Sequence, residues 1–183
     1  MNKISKYLLL ASFIGTFAEQ MITPIYAMFV GKIGGSILDA GIGYAIFSIL
    51  TGLIIIITGK VKWFGQNLEL LVFFGFTIAS VGDFCYFFVH DTFGLFLVQA
   101  TNGLSVGLLN PAWEALYTKD GEDGKEHESW SLWGGGVNIS TGIAALVGAG
   151  VTTLFSFKAM FVLTAAINSV AIYYSYKILK TKK

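Results

Sequence analysis

Three carboxylates stand where a carboxylate is costly to keep. Glu19, Asp83 and Glu114 each fall inside a long apolar run, and an ionisable group within a membrane segment marks function by default. Glu19 lies about halfway along its run. At about 3.6 residues per helical turn, Gly15, Glu19, Thr23 and Tyr26 share one face. An acid that gains and loses a proton as water reaches it couples proton flow to the movement of a solute. A second polar line runs Gln99, Asn102, Val106, Asn110 and Glu114, and a third runs Trp130, Trp133 or Gly134, Asn138, Thr141, Ala145 and Gly148. The proton-coupling candidates are therefore Glu19, Asp83 and Glu114. The substrate-path candidates are Thr23, Tyr26, Gln99, Asn102, Asn110, Trp113, Trp133, Asn138 and Thr141.

Each of these has a plainer use. Asn and Thr hydrogen-bond between helices in membranes. Glu114, within a turn of its run's end, is either solvated, paired with a lysine or functional. Asp83 shares a face with Thr77, Ser80 and Phe87, and helix pairing suits it as well as coupling. Trp113 and Trp133 either stack on a ring-bearing or apolar solute or pack among neighbours. Glu69 and Asp39 read as solvated boundary residues, and the acidic stretch between Gly121 and Glu128 as a solvated connection.

Other chemistries fall away. His90 and His127 are isolated loop residues, which do not make a metal site. The single cysteine, Cys85, excludes a disulfide framework. No metal and no cofactor is implied. Gly103-Leu104-Ser105-Val106-Gly107 has a nucleophile-elbow spacing, but that elbow needs a strand-to-helix turn. A rhomboid-type intramembrane protease needs a histidine near its serine, in the sixth helix, where this chain has none. The chain is not expected to be an enzyme. Gly103-x-x-x-Gly107 reads instead as a close-packing seam between membrane helices.

The elements that must position these residues follow from composition. Hydrophobic residues make up 55% of the 183 and charged residues 13%, whereas soluble domains carry roughly 45–50% and about 25%. Most of the surface must face lipid. A hydrocarbon core of about 30 Å needs about 20 apolar helical residues, and six stretches qualify: about Tyr7–Val30, Ala40–Thr58, Leu68–Val89, Phe93–Tyr117, Trp130–Phe155 and Ala159–Tyr176. The breaks between them are Gly31–Asp39, Gly59–Asn67, His90–Asp91, Thr118–Ser129 and Ser156–Lys158. The expectation is an all-α membrane protein, with residues 1–183 forming a single six-helix transmembrane domain. A net charge of +1 gives no electrostatic footprint for nucleic acid.

All twelve basic residues are lysines, and their placement orients the chain. With a cytoplasmic N-terminus, Lys3, Lys6, Lys60, Lys62, Lys119, Lys125, Lys177, Lys180, Lys182 and Lys183 lie inside, and only Lys32 and Lys158 outside. The positive-inside rule thus predicts both termini cytoplasmic in a plasma or inner membrane. Met1–Lys6 followed by apolar Tyr7–Phe17 is similar to a signal peptide. The apolar run, however, continues through Val30 without a small-x-small cleavage site.

The order of features resembles one half of a major facilitator superfamily transporter. Glu19 and Pro24 sit as in that family's first helix. Gln99-Ala100-Thr101-Asn102-Gly103 resembles its Arg-x-x-Gln-Gly motif with glutamine in the arginine position, and Leu109–Leu116 is similar to the end of its fourth helix. Between spans two and three the family's Gly-x-Leu-x-Asp-Arg-x-Gly-Arg-Arg is reduced to Phe64-Gly65 and basic character. In span five Gly142, Gly148 and Gly150 occur without the following proline of the antiporter motif.

The resemblance implies two inverted three-helix repeats, which pair Gly15 and Pro24 with Gly103 and Pro111. It implies that spans one, two, four and five line a path while three and six lie at the periphery. The implied function is a secondary active transporter for a small organic solute, proton-coupled and working by alternating access. Without arginine to clamp anionic groups, a small or amphipathic solute fits better than a multiply charged one. One bundle alone would leave polar faces toward lipid, so a parallel homodimer of six-helix halves is expected. A separate partner half or a longer chain competes with it. The alternative function is a non-transporting membrane scaffold or accessory half. The remaining partners implied are the lipid bilayer and the solute.

Overall fold

The computed structural model describes residues 3–119 and 124–181. Part of the acidic connection, 120–123, and the last two lysines lie outside the described residues. The elements are α1 (Lys3–Ile22), a 3-10 turn (Thr23–Ile25), α2 (Tyr26–Lys32), α3 (Ile37–Lys60), α4 (Lys62–Gln66), α5 (Leu68–Cys85), a second 3-10 turn (Tyr86–Phe88), α6 (Thr92–Lys119), α7 (Glu126–Leu154) and α8 (Phe157–Thr181). No strand occurs among the described residues. Six helical segments are long and apolar enough to cross a membrane: Lys3–Lys32, Ile37–Lys60, Leu68–Phe88, Thr92–Lys119, Glu126–Leu154 and Phe157–Thr181.

The polar breaks act as helix caps. Ser36 and Asp39 form a capping box: the Ser36 N–H donates to Asp39 Oδ2 at 2.7 Å and the Asp39 N–H to Ser36 Oγ at 3.2 Å. Each bond satisfies a backbone donor that the first helical turn leaves unpaired. The Gly94 N–H donates to Asp91 Oδ1 at 2.7 Å and the Ala159 N–H to Ser156 Oγ at 3.1 Å, which starts α6 and α8 in the same way. Gly34, at φ +84°, supplies the left-handed residue that turns α2 into α3.

Two expectations need correction. The break Gly59–Asn67 is largely helical: α3 runs on to Lys60 and only Val61 separates it from α4. Phe64 on α4 packs against the bundle core, which gives this short helix an apolar anchor. Glu69 is buried rather than solvated. It occupies the first turn of α5, where the helix's unpaired N–H groups favour an acidic side chain.

The long helices pack as an arc in the order α3, α6, α5, α8, α1, α7. Glycines set the closest approaches. A side chain at Gly103 would meet the Phe47 carbonyl at 2.7 Å, and one at Gly107 would meet Ile54 Cβ at 2.6 Å, so the expected seam is the contact of α6 with α3. Gly148 likewise lets α7 lie against the Met21 backbone of α1. The two ends of the arc are thinly covered: 11% of the apolar stretch of α3, and of α7, is buried, against 44% for Lys3–Lys32.

Candidate functional site

α1 and α6 touch only sparsely, because a cavity of about 550 Å³ lies between them. α3 and α7 flank it, and α5 and α8 form its back wall. Its α6 lining extends from Gln99 to Glu114, which at 1.5 Å per residue is a cleft of about 22 Å along the helix. It is therefore a groove running most of the way through the bundle.

Every candidate except Asn138 lines this groove. Glu19, Thr23, Asn110 and Glu114 are exposed to it; Tyr26, Asn102, Trp133 and Thr141 are half-buried; Asp83, Gln99 and Trp113 are buried in its walls. Asn138 is exposed and donates its side-chain amide to the Gly134 carbonyl of its own helix at 2.8 Å. Its neighbour Val137 lines the groove instead. On a helix, one step along the chain rotates a side chain by about 100°, enough to turn Asn138 out of the groove.

The resemblance implies that the third and sixth spans lie at the periphery of the path. Here they form the back wall, and Phe76, Ala79, Asp83 and Tyr86 of the third span and Asn168 of α8 reach the groove from it. The Asn168 side-chain amide donates to Asp83 Oδ2 at 2.6 Å, tying α5 to α8. Asn168 was missed, and its one sequence signal is that it is the sole amide in an apolar helix. Ser12, Gln20 and Tyr44 were also missed.

Two indoles are held by α1. Trp113 Nε1 donates to the Leu8 carbonyl at 3.2 Å and Trp133 Nε1 to Ser12 Oγ at 3.1 Å. Trp113 stacks on Tyr117 at 4.7 Å between centroids and meets Trp133 at 5.2 Å, while Trp130 lies 5.5 Å from Trp133. These rings fill the end of the groove where α1 begins, α6 ends and α7 begins. Ser105, the serine of the elbow-like motif, donates to the Gly75 carbonyl at 2.8 Å. It fastens α6 to α5 and has no histidine beside it in the groove.

The groove's charge is one-sided. Glu19, Asp83 and Glu114 line it, and no lysine or histidine is among its described lining residues. Among the described residues, three buried side-chain atoms have no hydrogen-bond partner: Tyr26 Oη, Asn102 Oδ1 and Asn168 Oδ1. Buried polar atoms are rarely left so, and these belong to residues of the groove wall. Among the described residues, no three His, Cys, Asp or Glu side chains are grouped closely enough to hold a metal ion.

A family model described as Major Facilitator Superfamily matches residues 8–182 of this chain. No individual curated protein matches it.

Proposed function

The chain belongs to the major facilitator superfamily, a family of multi-pass membrane transporters and not generally of enzymes, and from that premise we propose that it is a proton-coupled secondary transporter of a small organic solute. The observation that carries this reading is the groove. It runs about 22 Å through the bundle, carries polar side chains set in a largely apolar wall, and has Glu19 exposed within it. In a membrane protein, ionisable groups of this kind face a bundle interior or a water-filled path. Glu19 takes and releases the proton as the groove opens to one side or the other. Thr23, Tyr26, Gln99, Asn102, Asn110 and Thr141 hold the solute, and Trp113 and Trp133 bound its path. Asp83, tied to Asn168, and Glu114, at the groove's end, are secondary coupling sites.

The working unit is a parallel homodimer with both termini cytoplasmic. An unsatisfied polar group turned to hydrocarbon costs several kcal/mol. Glu19, Asn110 and Glu114 are all exposed in the single bundle, and a two-fold axis along the membrane normal brings two such faces together. The lysine distribution supports the orientation. Exchange of the first three spans for the last three supports the inverted repeat: it turns the α3–α6 contact into α7–α1 and the α5–α6 contact into α8–α1.

Reconstitution into vesicles with an imposed pH difference tests the function. A panel of small organic solutes is screened for uptake against a gradient, with lumenal pH followed in parallel. We expect at least one solute to accumulate and to dissipate the pH difference, and Glu19→Gln to abolish accumulation while leaving exchange at equal concentrations. A Glu19→Gln protein that still accumulates solute removes Glu19 from the coupling. A panel with no uptake at all leaves the scaffold or accessory-half reading standing.

A further inference from the structure

We propose that the groove binds an amphipathic organic cation, an ammonium carried on an apolar or aromatic body. The inference rests on the transporter reading of this groove and adds the chemical class of what it takes.

The first argument is an inventory of donors and acceptors. Glu19, Asp83 and Glu114 are the acidic side chains of the lining, and a carboxylate in its ionised form only accepts hydrogen bonds. Asn102 Oδ1 and Asn168 Oδ1 are acceptors buried without a donor, and Asn168 is only 3% exposed. Two of the wall's strong donors, the indole N–H groups of Trp113 and Trp133, are already engaged by α1. The third partnerless atom, Tyr26 Oη, can donate or accept, so the orphaned oxygens and the acidic side chains together suit a ligand that brings donors and positive charge. An anionic ligand would find carboxylates and no lysine to meet it.

The second argument is shape and surface. A cavity of about 550 Å³ is in the range that encloses a drug-sized organic molecule and far exceeds what a bare metal cation needs. Trp113 and Trp133 stand toward one end of it, with Tyr26 and Tyr86 toward the other. Aromatic rings bury apolar bodies and attract cations through their negative faces. The two contributions are arranged together: Glu19 lies between these ring pairs along α1, one helical turn from Gly15, where the absence of a side chain lets the Phe76 ring pack directly on α1.

Calorimetric titration of the purified full chain in lipid nanodiscs with three matched probes tests this. The probes are 2-phenylethylamine, protonated at neutral pH, the neutral 2-phenylethanol and the anionic phenylacetate. We expect the amine to bind at least about tenfold more tightly than the alcohol, the gain typical of a charge-assisted hydrogen bond, and phenylacetate not to bind. Glu114→Gln and Glu19→Gln should each weaken the amine and leave the alcohol unchanged. Equal or tighter binding of the alcohol, binding of phenylacetate, or no binding of the amine overturns the proposal, and the wild-type series alone decides it if a variant does not fold. The transporter reading fails separately. Proton-driven uptake of a neutral solute would uphold it while this inference falls, and an amine that binds without being moved would do the reverse.

Discussion

The two walls of the groove are built from the same kinds of residue and behave differently. The α1 wall carries Glu19 and Pro24, and the α6 wall carries Glu114 and Pro111. Pro24 ends α1 and tightens the chain into the 3-10 turn Thr23–Ile25, whereas Pro111 sits inside an uninterrupted α6. Proline removes the same backbone bond in both places, so the difference lies in the surroundings. Pro111 is followed by Ala112 and Trp113, 1% and 5% exposed, and Leu109 lies against Gly75 of α5. The 3-10 turn contains no buried residue. A helix clamped on its neighbours stays helical through a proline, and an unclamped one relaxes to the tighter turn. One wall is thus a continuous helix, and the other carries a kink that we propose acts as its hinge.

The largest expected effect comes from breaking the clamp on the continuous wall. Gly107→Leu drives a side chain into Ile54 and should destabilise the protein by about 1–3 kcal/mol or more, read as a lower midpoint of thermal unfolding in detergent. Gly142→Ala, at a helical glycine with open space around it, should leave that midpoint unchanged or raise it slightly, since alanine is the better helix former.

Next in size is the hinge. Pro24→Ala restores a backbone donor and should straighten the α1 wall, slowing transport about tenfold, or about 1.4 kcal/mol of barrier. Pro111→Ala should change the same rate less than about twofold. Equal slowing by both substitutions would sink the distinction between the walls.

The smallest effect concerns single bonds behind them. Trp113→Phe keeps an aromatic six-membered ring but loses the pyrrole half of the indole with the N–H that reaches Leu8, and the lost hydrogen bond should cost about 0.5–1.5 kcal/mol. Asn168→Ala removes the bond to Asp83, whose carboxylate still reaches the groove, and should cost a similar amount, about 0.5–1.5 kcal/mol. Both are measurable by thermal unfolding, and a cost above that of Gly107→Leu would reverse the order proposed here.

Much of this was legible in the sequence. The six membrane helices follow from apolar run length, and Glu19 from its depth within a run. The Gly103–Gly107 seam followed from spacing, although the partner helix did not. Asn138 was misplaced because helical phase accumulates error over a long span, and its neighbour Val137 faces the groove in its stead. Asn168 was invisible because a lone amide acquires meaning only from Asp83, eighty-five positions away and 2.6 Å distant in space. Glu69 was misread because charge suggests solvent, while the start of α5 provides donors that sequence alone does not position. The differing fates of Pro24 and Pro111 depend on neighbours from other helices, which local pattern cannot supply.

The ring cluster at the end of the groove also makes the protein its own optical reporter. Of its four tryptophans, Trp113, Trp130 and Trp133 lie within one group, with centroid separations of 5.2 to 6.3 Å. Trp63, on α4, stands outside it and packs on Phe64. Ultraviolet emission from the unlabelled chain is therefore dominated by one end of one passage, and exciton coupling among the three indoles should appear in the near-ultraviolet circular dichroism. An opening of that end that moved α7 relative to α6 would pull Trp130 and Trp133 away from Trp113. The motion is then readable as a change in spectral shape, with Trp63→Phe removing the background.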